Sequence, residues 1–182
     1  MKINQYEFPK SSFLGMSKDC ALIMEKILSN KDLLKLIYYS GRDWKDQPNL
    51  TAAQVKELIG DDTEKRQISI LPKLYIHPEK RTYIHITFGT FYENATNPEY
   101  RDNMIHFDIY CHFDDWDLGN FELKPYRVAG ELDAMLANKK LTGIGELKFV
   151  QSNPIVYDED YAGVSLSYLA IRGNEDKVNP LE

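Results

Sequence analysis

Residues 103–113 read NMIHFDIYCHF, and their alternation decides the fold class. Ile105, Phe107, Ile109, Cys111 and Phe113 fall on one side, Met104, His106, Asp108, Tyr110 and His112 on the other. Successive side chains of a strand point to opposite faces, so this segment is a strand with one core face and one polar face. Downstream, 114–120 reads as a turn, and 126–138 as an amphipathic helix with Pro125 near its first turn. Val128, Ala129, Leu132, Met135 and Leu136 form its apolar stripe, and Lys139 and Lys140 follow where the helix dipole favours cations. Gly143 and Gly145 bracket a turn into a strand at 146–151, which Asn153-Pro154 is expected to break. Asp158-Glu159-Asp160 makes a solvated turn, and the last strand spans 161–172 with Val164, Leu166, Tyr168 and Ala170 on one face. Leu169 and Ile171 oppose part of that face, so its far end is expected to be covered on both sides.

Upstream, the alternation continues in 82–88, where Ile84, Ile86 and Phe88 oppose Tyr83, His85 and Thr87. A loop at 89–102 carries the turn signal Asn97-Pro98. A short strand is expected at 67–71, with Leu74, Tyr75 and Ile76 continuing it past Pro72. Before that the period is near 3.6. Ala21, Leu22, Met24, Ile27 and Leu28 mark a first helix capped by Ser17 or Asp19, and Leu33, Leu34, Leu36 and Ile37 a second that ends before Gly41. Thr51-Ala52-Ala53-Gln54 is a capping box opening a third helix at 52–59, with Gly60 as its stop. Residues 1–16 read as an irregular arm anchored by Tyr6, Phe8, Phe13 and Leu14.

These elements specify an α+β fold. A mixed, mostly antiparallel sheet over 66–172 carries a long helix (125–138) on one face, after a helical part at 17–60. The whole of 1–182 reads as a single domain, with 173–182 a loose tail.

Composition narrows the function. The chain has 182 residues, with 22 Lys and Arg against 28 Asp and Glu, a net charge of −6. That balance, with a pI near 5.3, argues against a protein that grips phosphate through a basic face. No apolar run approaches the roughly 18–20 residues that span a bilayer, and MKINQYEFPKSSF lacks the apolar middle of a secretory signal. Cys20 and Cys111 both lie in apolar patterns and read as reduced core thiols of a cytoplasmic product.

Catalytic signatures are weak. His106, Asp108 and His112 share a strand face, but residues six apart along a strand are about 20 Å apart, so the two histidines cannot share one ion. His106 and Asp108 with His85 from a neighbouring strand make a set that still needs a fourth ligand or an open water position. A metal-dependent nuclease or hydrolase would pair Asp108 with Asp102, Asp114 or Glu131, and no motif fixes that geometry. Asp114, Asp115 and Asp117 lack the offsets of a twelve-residue calcium loop and read as a solvated turn. No Gly-x-Ser-x-Gly elbow is present, and the Gly143/Gly145 turn runs from helix to strand, the reverse of a phosphate cradle. The expectation is therefore a protein that is not an enzyme, with no cofactor and no metal. The aromatic excess points elsewhere: Tyr92, Tyr100, Trp116, Phe121 and Tyr126 cluster in or beside two loops, and aromatic residues are enriched at interface centres.

Three segments carry a resemblance: PKLYIHPEKRTYIHITFGTF (72–91), NPEYRDNMIHFDIYCHFDDW (97–116) and KPYRVAGELDAMLANKKLTGIGELKF (124–149). In element order, and in the pairing of Phe107-Asp108-Ile109 with Ala129-Gly130-Glu131-Leu132, the chain resembles the tail-terminator and head–tail-joining proteins of tailed bacteriophages. The resemblance covers about 68–172, and the N-terminal helix pair also fits it. The divided helix at 17–39 and the insert at 41–66 depart from the simplest pattern. It implies a structural virion protein of the tail or neck, assembled in the host cytoplasm. Such a protein forms a ring, commonly of six copies, that caps the tail tube and joins it to the head connector. The implied partners are other copies, the tail tube protein and the head completion or connector protein, with no membrane.

Simple geometry suits that implication. A compact chain of this length is ~40 Å across, and six in a ring leave a hole of ~40 Å, against ~20 Å for duplex DNA. Acidic subunits let DNA pass without specific binding. Cyclic closure needs two different complementary surfaces per subunit. The candidate interface residues are His106, Asp108, Tyr110, His112, Trp116, Tyr92 and Tyr100. A cytoplasmic adaptor that docks peptides on a sheet edge is the remaining alternative.

Overall fold

The computed structural model describes residues 12–60, 65–70, 79–93, 95, 101–141 and 145–172. Helices α1 (Ser12–Ser29), α2 (Lys31–Tyr38) and α3 (Ala52–Ile59) precede strands β1 (Ile68–Ser69), β2 (Thr82–Glu93) and β3 (Arg101–His112). A 3₁₀ turn η1 (Phe113–Asp115) and helix α4 (Lys124–Leu136) follow, then β4 (Lys140–Leu141), β5 (Gly145–Val156) and β6 (Tyr161–Arg172). The six strands form one sheet in the order β1-β2-β3-β6-β5-β4. Among the described residues, only β1 runs parallel to its neighbour and the other pairings are antiparallel. The fold is α+β with a mixed, mostly antiparallel sheet.

Register explains the core. Ile84, Ile109 and Val164 lie in one row across β2, β3 and β6, and Ile86, Phe107 and Leu166 in the next. Ile84, Ile86, Phe107 and Ile109 are wholly buried, as are Ile23 and Ile27 of α1 and Leu33 and Leu36 of α2. Each such burial stabilises the fold by roughly 1.5–3 kcal/mol. On α4, Val128, Leu132 and Leu136 are buried, and the Tyr168 hydroxyl of β6 donates to Asp133 Oδ1 at 2.8 Å. Gly163 is dictated by a close approach: a Cβ there would stand 1.8 Å from the carbonyl oxygen of Ile109.

Local signals act as expected at α3, where Thr51 Oγ1 accepts from Gln54 N–H and Gln54 Oε1 accepts from Thr51 N–H. Asn30 caps α2 by accepting from Leu33 N–H at 3.0 Å and donates to Glu131 on α4 at 3.2 Å. Buried Gln67 donates to the carbonyls of Ile37 and Thr82, which ties the end of α2 to the start of β2.

Four expectations are corrected. Helix α1 begins at Ser12, inside the stretch expected to be an irregular arm and ahead of the expected caps Ser17 and Asp19. The loop at 89–102 is shorter too. Past a register shift between Phe88 and Phe91, β2 and β3 stay paired as far as Glu93↔Arg101, favoured by the β-prone run Thr90-Phe91-Tyr92. Phe113 leaves the core face, since the chain turns into η1 after His112 and its ring stands half in solvent beside Trp116. Asn153-Pro154 does not break its strand. β5 lies near the sheet's edge, where a residue without an N–H removes no ladder bond, and Pro154 pairs with Val164.

Tyr6, Phe8, Leu74, Tyr75, Ile76, Asn97, Pro98, Tyr100, Gly143 and 173–182 lie outside the described residues. Nothing is described of the Phe13, Leu14 and Ile171 side chains. Leu169 is half-buried.

Candidate subunit interface

The polar face of β3 is central in the sheet, and neighbouring strands answer it residue by residue. His106 Nδ1 lies 2.8 Å from Ser167 Oγ, and Ser165 Oγ donates to Asp108 Oδ1 at 2.5 Å. The Tyr110 ring meets Tyr157 edge-on at 5.6 Å, and burial pushes the Tyr110 phenol up, with the charge of Asp108 and Tyr157 adding to it. His112 Nδ1 accepts from Asp114 N–H at 3.2 Å, which starts η1, and its ring meets Tyr161. All four side chains are half-buried, so each keeps one flank open. His85 faces Asp108 across the β2–β3 ladder. Among the described residues, no group of three His, Cys, Asp or Glu side chains is placed to hold a metal ion. Burial pushes the Cys111 thiol up to about 12, and burial also raises Cys20.

The loop aromatics separate into different environments. Tyr92 is exposed on β2. Trp116 packs against the core, and its Nε1 donates to the Cys111 carbonyl at 3.0 Å, so it is a local packing residue rather than a free anchor. The acidic turn after β3 is also not simply solvated. Asp115 is 3% exposed and pairs with Lys124, which is 1% exposed. Lys124 also donates to the Tyr39 carbonyl, and Asp115 accepts from Gly41 N–H, so this pair clamps the chain after α2 to the start of α4. Asp114 pairs with Lys80, and that hydrogen bond holds its carboxyl below the ordinary range. Asp117 is held low by the Gly119 N–H and also pairs with Arg42.

Above the clamp stands a small hairpin. Asp117 and Leu123 bridge at its base, Leu118 N–H donates to Glu122, and Glu122 N–H donates back to Gly119 at 2.9 Å. Its tip carries Phe121, fully exposed. Beside the tip an open groove of about 530 Å³ is lined by Phe121, Glu122, Leu123, Tyr126, Arg127, Gly130 and Glu131. A second exposed surface lies along β5. Among the described residues only Gly145 and Glu146 pair with β4, and Leu147 exchanges backbone hydrogen bonds with Asn138 and Lys139, which leaves the outer edge from Lys148 to Val156 open. Phe149, Val150 and Val156 are exposed there, with Tyr157 just beyond.

The YomW family model matches residues 30–170, more than three quarters of the chain. The chain belongs to the YomW family. That family is phage-derived, so this is a phage-related protein. The YomW match begins at the N-cap of α2 and runs into β6, so it contains the clamp, the hairpin, the groove and the β5 edge. No curated protein matches the chain. Among the described residues, no helix of this YomW protein is long and apolar enough to cross a membrane. The groove residues Leu123 and Arg127 escaped the sequence reading, and Gly130 and Glu131 entered it only in the motif of the resemblance and, for Glu131, as a candidate nuclease carboxylate, not as parts of a surface. A glycine inside the otherwise regular helical pattern Val128-Ala129-Gly130-Glu131-Leu132 was the available signal.

Proposed function

We propose that this YomW protein is a structural virion component that forms a ring at the head–tail junction. It caps the tail tube and joins it to the head connector, leaving a channel for DNA. The observation that carries this reading is the open outer edge of β5 with its exposed Phe149, Val150, Val156 and Tyr157. A ring needs two unlike surfaces on each subunit. The β5 edge supplies one, and the half-open row His106, Asp108, Tyr110 and His112 on the polar sheet face supplies the other. The phage-derived family supports a place in a phage particle. The net charge of −6 per subunit supports a channel wall that repels phosphate.

Electron microscopy of the purified protein, alone and mixed with tail tubes and head connectors, tests this. Closed rings of about six copies on tube ends are expected. A particle that neither rings nor binds tubes or connectors contradicts the proposal.

A further inference from the structure

Two residues on the groove are each unfavourable for an isolated subunit. The first is Phe121. The turn closed by Glu122 N–H and the Gly119 carbonyl has φ of +53° at Asn120 and +64° at Phe121. This is the mirror-image turn that matches strand twist, and its second central position favours glycine. Asn tolerates the left-handed region, whereas a bulky side chain there is a true outlier. The Phe121 ring recovers nothing inside the subunit, because it is wholly exposed.

The second is Gly130, in the middle of α4, where glycine weakens a helix. Internal packing does not require it: an added Cβ would meet nothing within 4 Å. A projecting ring and a bare notch thus line the same groove.

A knob and a hole side by side on one patch are what a two-fold contact uses, since the same surface then serves both partners reciprocally. We propose that a second copy of this chain covers the groove about a two-fold axis, with each Phe121 seated against the other copy's Gly130, Leu123 and Tyr126. Charge permits this self-contact. Arg127 lies between Glu122 at 3.3 Å and Glu131 at 2.7 Å, so the patch does not meet its copy with a row of unpaired like charges. A covered aromatic buries roughly 150–250 Å², so Phe121, Tyr126 and the groove walls offer on the order of 400 Å² per subunit. That is about half of a standard stable interface, and the pairing is therefore weak and concentration-dependent. This inference goes beyond the ring reading, because a two-fold contact closes pairs and not rings.

Sedimentation velocity over a wide concentration range, at low and high salt, tests it. The average mass is expected to rise from 21.1 kDa toward twice that value, and further at high salt, which screens the mutual repulsion of acidic subunits. Phe121→Ser and Gly130→Leu should each weaken the pairing about tenfold or more, as loss of an interface anchor does, while Phe121→Trp retains it. Circular dichroism establishes that each variant is folded. A chain that stays monomeric throughout, or a folded Phe121→Ser variant that pairs as wild type does, overturns the proposal. Rings that form equally well with Phe121→Ser, with no Phe121-dependent pairing of wild type, would support the junction reading and overturn the pairing. Pairs that depend on Phe121, without rings, would support the pairing and count against the junction reading.

Discussion

The base and the tip of one hairpin obey opposite rules. At the base, Asp115 and Lys124 are buried, yet each has a charged partner and a backbone partner. At the tip, six residues from Asp115, Phe121 is fully exposed with a backbone angle that disfavours its side chain. Internal bonding explains every group of the base and leaves the ring at the tip unaccounted for. A rigid base that presents a costly tip is a device for contact with another molecule, because the cost has no return inside the subunit.

The base should give the largest effect. Lys124→Met leaves the Asp115 carboxylate buried without its cation, which costs about 3–5 kcal/mol. Urea denaturation measures this, and a loss below ~1 kcal/mol would mean that the clamp is not buried in solution. Removing both charges, in Lys124→Met with Asp115→Leu, should recover only part of the loss, because the Tyr39 carbonyl and Gly41 N–H then lose their partners.

The tip should respond with the opposite sign. Phe121→Gly relieves the left-handed strain and should raise monomer stability by about 0.5–1 kcal/mol. A thermal melt at low protein concentration checks this, and a destabilised variant would show that the ring supports the subunit's own fold. Gly130→Ala should gain about 0.5 kcal/mol or slightly more from helix propensity, by the same measurement. A loss there would reveal an internal contact at the notch.

The smallest effect belongs to the exposed carboxylates beside the clamp. Asp114 and Asp117 have folded-state values below the ordinary carboxylate value, through Lys80 and through the Gly119 N–H respectively. A lowered folded value gives stability that is fully present above pH ~4 and lost as pH falls through the lowered values. Lys80→Ala should therefore flatten the acid limb of a stability–pH curve slightly. A variant with the limb unchanged would mean that the Lys80 pair is absent in solution.

Much of the fold was legible because it rests on local periodicity. The β3 alternation placed Ile105, Phe107, Ile109 and Cys111 in the core, and the Thr51/Gln54 box placed α3 to the residue. Phe113 and Pro154 were misread because their outcomes depend on where the ladder ends and which strand lies at the edge, and both are set by tertiary pairing. The clamp was illegible for a similar reason. Asp114-Asp115-Trp116-Asp117 has the composition of a solvated turn, and only the return of the hairpin brings Lys124 onto Asp115. In the candidate interface, alternation alone put His106, Asp108, Tyr110 and His112 on one face. The groove needed more, since Gly119-Asn120 signals a turn without saying that Phe121 takes the left-handed position.

One measurement joins strain and contact directly: melting temperature against protein concentration for wild type and Phe121→Gly. A second copy that binds only the folded chain raises the melting temperature by mass action. Wild type should start ~2–4 °C lower or less, the shift that 1 kcal/mol makes in a domain of this size, and then climb with concentration. Phe121→Gly should start higher and stay flat, so that the two curves converge. Parallel curves, or a variant that melts lower at every concentration, would contradict a tip strained for the sake of another copy.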